Sequence, residues 1–257
     1  VPDINDVQEY DEIVVGTKTM PTADWKRSSI FSWAVQCFHC LGLTQYAAIF
    51  AHNENNISYA QFYKDLVDYG ERNIEFMVGR ELNKVSRIIN GVMRGGGLEL
   101  VIKEFGDVSW TPEEGSFLNI IKDKEKFYNE LREYLLRYFK KDQKDKISDL
   151  IKYSEKMIID PFCSQTTELD LEYDFNKYFN EFYCGNNRPI LVPHKNKLII
   201  SDVYEFKGDL PAYAREIVWY GRKSSKFFHS QSKIKEECFN EIKSRKVTRK
   251  NKQAIIN

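Results

Sequence analysis

The first strongly patterned stretch of the chain is residues 24–41, in which apolar side chains recur at helical spacing around one narrow polar row. The row advances in steps of three and four residues, so on a helix its members fall on one line: Ser29, Ser32, Gln36 and His39. A helix that is apolar around most of its circumference is expected in the middle of a domain. The polar row then needs partners. It is predicted either to line a cleft or domain interface or to be hydrogen-bonded internally.

Apolar residues at helical spacing predict further helices along the chain, and several start signals support them. Ser58 with Gln61 forms a capping box, and Pro112 is followed by the two carboxylates of Glu113 and Glu114. Thr22 or Asp24 is expected to cap the helix at 24–41. Gly42 is expected to end or kink that helix. The other predicted helical segments are 43–50, 59–67, 74–92, 127–138, 147–157, 175–182 with Asp174 as its cap, and 212–220.

Strand signals are few, and most of them lie in the last third of the chain. Residues 13–15 form a short strand-like run, and Leu169, Leu171 and Tyr173 alternate as a strand would. Residues 190–192 and 198–200, separated by a Pro- and Asn-containing segment, predict a β-hairpin.

The predicted fold class is therefore mainly α: a helical domain around a buried central helix, with a small β-hairpin or α+β element in the C-terminal third. The predicted division is a helical domain over 1–160, a small α+β extension packed on it over 161–230, and a basic, disordered tail over 231–257.

Charge and composition exclude several classes of protein. The 257 residues contain 38 basic and 38 acidic side chains, so no global field attracts nucleic acid. The segment 243–257 has six basic and no acidic residues. It is predicted to be a solvated tail, with nucleic-acid contact as the weaker alternative. No apolar run approaches the roughly 20 residues of a membrane span, and a secretory signal is not evident. The first residue is Val rather than Met, and we expect the chain to be cut from a longer one.

The five cysteines are an odd number in a chain too large to need disulfide stapling, which favours a reducing, cytoplasmic location. Cys37 and Cys40, with His39 between them, are the first candidates for a metal site. A structural zinc site usually takes four ligands, and the remaining ligands would have to arrive singly from Cys163, Cys184 or His194. Buried core cysteines are the favoured interpretation, and neither a metal site nor a catalytic residue is predicted. Glu113 and Glu114 are more plausibly structural residues of a helix start than an acid–base pair.

Three segments in a fixed order carry a family resemblance. The first runs from Met20 through Asp24-Trp25-Lys26-Arg27, Phe31-Ser32-Trp33 and Gln36 to His39-Cys40-Leu41-Gly42-Leu43. The second contains Phe105-Gly106-Asp107, Trp110, Pro112-Glu113-Glu114 and Phe117-Leu118, and the third is Ala214 to Arg222. Together they resemble the region C-terminal to the barrel in cobalamin (B12)-dependent radical SAM enzymes, over roughly residues 10–225.

The resemblance implies a role without radical chemistry for this chain. Family enzymes bind a four-iron cluster on a Cys-x-x-x-Cys-x-x-Cys loop, and this sequence has no such triplet; the B12-binding domain is also absent. The resemblance therefore implies a C-terminal accessory or capping domain that closes the barrel and contacts substrate. No cofactor is expected in this fragment. The parent, a methyltransferase or related enzyme, would use S-adenosylmethionine, a 4Fe-4S cluster and cobalamin on a small-molecule substrate.

The implied partners are the missing N-terminal domains of the same polypeptide. The polar row, together with Trp33 and Trp110, is expected to face the barrel or the substrate. The alternative is a stand-alone helical module that binds a protein partner through aromatic surface. Nucleic-acid binding is the weaker third possibility, because the rest of the chain is electrically neutral.

Overall fold

Helices joined by short loops make up most of the fold, as predicted. The computed structural model describes residues 12–139, 143–162, 167–200 and 206–220, with the backbone of residues 248–249. The α-helices are α1 Thr22–Ala34, α2 Gln45–Asn55, α3 Tyr59–Arg72, α4 Met77–Val92, α5 Pro112–Ile121, α6 Lys124–Tyr138, α7 Lys144–Met157, α8 Phe175–Tyr183 and α9 Leu210–Tyr213. Within these ranges, none of the helices has the length and apolarity needed to cross a membrane.

Helix α1 starts without a side-chain cap, so the expectation for Thr22 or Asp24 is wrong. Pro21 occupies the N-cap position with an extended backbone, and its carbonyl oxygen accepts hydrogen bonds from the amides of Asp24 and Trp25. Proline needs no partner for an amide hydrogen, and its preset φ suits this junction. The helix continues past Ala34 as a π-helix over Val35–Cys40, and Gly42 follows with a φ of +91°.

The segment predicted to be a buried central helix is buried on one side only. Trp33 and Ala34 are the buried residues of α1, and Cys37 and Phe38 are those of the π-helix. Arg27 and Ser28 extend the predicted polar row into a wider face that solvent reaches. The most enclosed helix is α2, in which residues 47–51 are all buried.

One continuous apolar core joins the helices to the C-terminal elements. The ring centroid of Phe50 in α2 lies 5.9 Å from that of Phe175 in α8. Phe175 in turn lies 6.2 Å from Tyr153 in α7. The division at residue 160 stays a prediction, and the predicted disordered tail lies outside the described residues apart from 248–249.

The strands form two small antiparallel sheets in the described part of the chain. Strand β1, Leu100–Val101, pairs with β2, Ser109–Trp110. Strand β3, Thr167–Tyr173, pairs with β4, Pro193–Ile200, and the backbone of β5, Thr248–Arg249, lies on the other side of β4.

Two of the strand predictions are wrong. The predicted hairpin does not form. Strand β4 begins at Pro193, inside the segment assigned to the turn, and it pairs with β3, which precedes α8 in the chain. This pairing places Leu198 opposite Leu169, and both side chains are buried. Residues 13–15 form no strand, and Ile13 and Val14 are exposed.

A buried aspartate accepts hydrogen bonds from two backbone amides near the end of the edge strand β3. The Oδ2 atom of Asp149 in α7 accepts hydrogen bonds from the amides of Glu172 at 2.6 Å and Tyr173 at 3.2 Å. An open strand edge invites pairing with another chain. The buried carboxylate satisfies these two amides in place of a fourth strand.

Candidate functional site

A groove of about 350 Å³ lies where α1 packs beside α4 and the start of α5. We call it the α1 groove. Its lining residues are Trp25, Ser28, Ser29, Ser32, Trp33, Gln36, Val85, Ile89, Leu98, Pro112 and Glu113. Three of the four members of the predicted polar row, and the predicted Trp33, are therefore gathered at one cavity.

The base of the groove is rigid and apolar. The indole Nε1 of Trp33 donates a hydrogen bond to Ser116 Oγ at 3.0 Å, and both side chains are buried. The indole is nearly perpendicular to the ring of Phe38, and the two ring centroids are 5.4 Å apart. Val85 and Ile89 contribute the buried face of α4, whose apolar residues recur at helical spacing. An indole that is hydrogen-bonded at its nitrogen and packed against Phe38 has little rotational freedom.

The polar side of the groove comes from α1 and the π-helix. Ser29 Oγ donates to the carbonyl oxygen of Trp25 one turn earlier at 2.9 Å, which satisfies that hydroxyl within the helix. Gln36 Nε2 donates to Ser32 Oγ at 3.0 Å. The Gln36 amide and the Ser32 hydroxyl are thus held together in the exposed middle of the row.

A second, shallower depression of about 530 Å³ lies on the outward side of the same helix. Residues of α1 and the π-helix alone line it: Arg27, Ser28, Phe31, Ser32, Val35 and Gln36. We call this the outer face. Phe31 is 37% exposed there, and Val35 on the next turn is partly buried. The outer face and the α1 groove share Ser28, Ser32 and Gln36, so they form one continuous surface.

His39 lies outside the α1 groove. Its Nδ1 is 2.9 Å from the hydroxyl of Tyr63, and its ring meets the rings of Tyr59 and Tyr63 edge-on. Burial lowers the pKa of His39 to about 4, so the imidazole is neutral at physiological pH. The prediction that His39 belongs to the polar row assumed α-helical geometry over the whole segment. The π-helix over Val35–Cys40 has a wider turn, which changes the direction of the residues that follow.

Trp110 also lies outside the α1 groove. It is 1% exposed and packs edge-on against Trp219 at 5.8 Å. Its indole Nε1 is buried without a hydrogen-bond partner among the described residues. Trp110 ends β2 and precedes the groove residues Pro112 and Glu113 by two and three positions.

Glu113 is the groove residue that the sequence interpretation assigned to structure alone. It is only 8% exposed, and it is the second residue of α5, where the positive end of the helix dipole stabilises a carboxylate. Its neighbour Glu114 completes a capping box with Thr111, as a structural residue would. Burial, and after it the carboxylates of Glu81 and Glu113, raise the pKa of the Cys37 thiol.

The described cysteines do not form a metal centre. Cys37 is buried, Cys40 is partly buried and Cys184 is exposed, and all three are free thiols. Among the residues with described positions, no group of three or more His, Cys, Asp or Glu side chains is placed to hold a metal ion. The expectation of a core cysteine is confirmed for Cys37. Cys163 and Cys238 lie outside the described residues. The described donor set does not fit an iron–sulfur cluster, which takes three or four thiolates in one array.

Comparison with known proteins finds a distant relative. No protein-family model matches the chain. The chain is 27% identical over 191 residues to the cobalamin-dependent radical SAM methyltransferase TokK of Streptomyces tokunonensis. The match covers 68% of this chain and 28% of that relative. The chain thus spans well under a third of the relative it matches, and the similarity supports a relation between this chain and the cobalamin-dependent radical SAM enzymes.

Proposed function

We propose that this chain is an accessory domain of a B12-dependent radical SAM enzyme. In this proposal the outer face packs against the catalytic part of the enzyme, closing its barrel, and the α1 groove contacts the substrate. The chain performs no radical chemistry itself. The observation that carries the proposal is the continuous surface of groove and outer face on α1, which holds a part-exposed phenylalanine beside fixed polar groups.

The physical reason for such a domain is the reactivity of radical intermediates. A site that excludes water and stray hydrogen donors protects them. The outer face is suited to burial against another surface because Phe31 and Val35 supply apolar area at its centre. Arg27, Ser32 and Gln36 supply polar contacts around them.

The proposal assigns substrate contact to this chain and the cofactors to the rest of the enzyme. In this proposal the 4Fe-4S cluster, S-adenosylmethionine and cobalamin of the parent are held by other parts of the polypeptide. The groove can orient a small molecule through the Ser32 hydroxyl and the Gln36 amide, while Trp33 provides a fixed apolar surface.

The first test is the natural coding sequence upstream of Val1. The proposal expects a Cys-x-x-x-Cys-x-x-Cys segment there, in the same reading frame. A start codon directly before Val1 contradicts it and favours the stand-alone helical interaction module, for which the exposed Phe31 would be a protein-binding residue.

The second test uses the protein together with its upstream domains. Ser32→Ala combined with Gln36→Ala is expected to reduce turnover about tenfold or more, because misplacing a substrate slightly is costly. His39→Gln is the matched control: it is on the same helix but faces Tyr63, so its turnover should follow wild type. Equal turnover of all three proteins at matched stability would remove the groove from the reaction.

Protection of the outer face can be measured separately. Hydrogen exchange of the α1 amides around Phe31 should be slower in the longer protein than in the 257-residue chain alone. Unchanged exchange rates would mean that this face stays solvated, and the closing role would then be wrong.

A further inference from the structure

We propose that the segment 97–99 is a gate of the α1 groove, with Leu98 as its moving side chain. In one position Leu98 lines the groove, as it does in the structure. In the other position the segment turns outward at Gly97 and leaves the entrance of the groove open to a ligand. The purpose of the gate rests on the proposed function, in which the groove contacts the substrate, but the motion can be measured on this chain alone.

Leu98 differs from the other residues that line the groove. Among the lining residues in the described part of the chain, it is the only one outside a helix. The others lie on α1, the π-helix, α4 and α5. Loops commonly move over binding sites, whereas packed helices hold their positions. A change in the backbone around the groove that leaves the helices in place must therefore involve Leu98.

Helix α4 ends in a fixed turn just before this segment. The amide of Gly96 donates to the carbonyl oxygen of Gly91 at 3.0 Å, and the amide of Gly95 donates to that of Val92 at 3.0 Å. Gly95 has a φ of +80°. These are the two hydrogen bonds and the left-handed residue of a Schellman motif. The chain is therefore held as far as Gly96.

The chain is held again at Leu100. Its backbone pairs with Trp110 in the sheet of β1 and β2. Its side chain packs on the bare backbone of Gly115 in α5, so closely that a β-carbon on Gly115 would lie 2.8 Å from Leu100 Cδ1. Between these anchors, and apart from helix and strand ladders, the backbone of Gly97 and Leu98 makes no hydrogen bond with another described residue. A short segment with so few restraints can move while both of its ends stay in place.

The conformation in the structure does not require glycine at position 97. The φ of Gly97 lies outside the left-handed region, and the nearest atom to a β-carbon placed on it would be the Glu99 amide nitrogen at 4.0 Å. By contrast, Gly95 has its positive φ, and a β-carbon on Gly96 would lie 3.1 Å from the backbone of Gly91. Glycine loses more conformational freedom on folding than any other residue. A glycine without a steric need in this state therefore points to a second backbone conformation at the same position.

Methyl relaxation dispersion on the leucine-labelled 257-residue chain tests the motion. Gating motions of loops take microseconds to milliseconds, and the minor state of such an equilibrium is about 0.1–10% populated. We expect exchange broadening at the methyl groups of Leu98 and none at those of Leu82, which is buried on α4. A flat dispersion profile at Leu98 at every temperature measured overturns the proposal.

The indole nitrogens show whether the motion reaches the groove. Trp25 and Trp33 line the groove, and Trp110 does not. The ¹⁵Nε1 nucleus of Trp25 is expected to exchange with the same rate constant as Leu98, and Leu98→Ala should reduce that exchange because a smaller side chain then moves past the ring. Exchange at Leu98 without exchange at Trp25 or Trp33 overturns the proposal. The same rate constant at Trp110 also overturns it, because the core as a whole would then be opening.

Substitution of Gly97 assigns the hinge. Gly97→Ala fits the conformation in the structure without overlap, whereas alanine restricts the alternative backbone conformations. The population of the open state is expected to fall about two- to fivefold. Gly91→Ala is the matched control, because a β-carbon there also has no atom within 4 Å, and its exchange at Leu98 should follow the wild type. Equal exchange at Leu98 in the wild type, Gly97→Ala and Gly91→Ala overturns the proposal.

The gate and the proposed function fail separately. A static Leu98 removes the gate and leaves substrate contact to be decided by the turnover of the variant with Ser32→Ala and Gln36→Ala. A start codon directly before Val1 contradicts the accessory role and leaves the measured motion of Leu98 as it is.

Discussion

Substituting Gly79 by alanine tests the close approach of the start of α4 to the end of α3 and the loop that joins them. Gly79 lies in the first turn of α4, where this helix passes the end of α3. A β-carbon placed on Gly79 would overlap the carbonyl oxygen of Asn73, would lie 2.6 Å from the carbonyl oxygen of Gly70, and would lie 2.8 Å from the Cα of Ile74. All three obstacles are backbone atoms, so no side chain can rotate to make room.

The expected sign is opposite to that of an ordinary helix substitution. In a free helix interior, replacing glycine by alanine stabilises by about 1 kcal/mol. Overpacking costs about 1–3 kcal/mol even where side chains can shift, and here α3 and α4 must separate. We expect Gly79→Ala to lower the free energy of unfolding by about 2 kcal/mol or more, which for a chain of this size corresponds to roughly 4–8 °C in Tm.

Gly91 supplies a matched control on the same helix. A β-carbon on Gly91 would have no atom within 4 Å outside the local helix backbone. Gly91→Ala should therefore raise the free energy of unfolding by about 0.5–1 kcal/mol. Urea titration followed by circular dichroism measures both variants. If Gly79→Ala proves as stable as the wild type while Gly91→Ala behaves as expected, α3 and α4 do not approach each other as described.

Three further predictions concern charge, edge protection and thiol reactivity. The pKa of His39 falls from 6.5 to about 4 on folding, so the unfolded chain binds more protons between these values and stability rises with pH across this window. His39→Gln removes that dependence. Between pH 7.5 and pH 4.5 the free energy of unfolding of the wild type, measured by urea titration, should therefore fall by about 2–3 kcal/mol more than that of His39→Gln. Parallel pH profiles would contradict the burial of the imidazole. Asp149→Ala leaves the Glu172 and Tyr173 amides without their carboxylate partner and should cost about 2–4 kcal/mol, whereas Lys152→Ala, which removes only the half-exposed ion-pair partner of Asp149, should cost less than 1 kcal/mol. In native protein a maleimide should label the exposed Cys184 within minutes and leave the buried Cys37 unmodified, as followed by peptide mass spectrometry; rapid labelling of Cys37 would show that the core around the π-helix opens.

Local sequence signals predicted the helices well because each depends on residues close together in the chain. Ser58 caps α3 by accepting from the amide of Gln61, and Asp174 caps α8 by accepting from the amide of Lys177. Gly42 and Pro112 also stand at helix boundaries, as their backbone preferences require. Strand pairing depends on distant residues, and there the prediction failed. Nothing local indicates that β4 pairs with β3 across α8 rather than with residues 190–192.

The sequence by itself determined a mainly helical chain, a helix over about residues 24–41, and the polar residues on it that deserved testing. Only the tertiary structure decided which of those residues share a site. The turn of the π-helix directs His39 toward Tyr63, and the packing of α4 and α5 against α1 brings Val85, Ile89 and Glu113 to Ser32 and Gln36. The physical reason is that hydrophobic periodicity reports which side of a helix is apolar, whereas a groove exists only where several helices leave space between them.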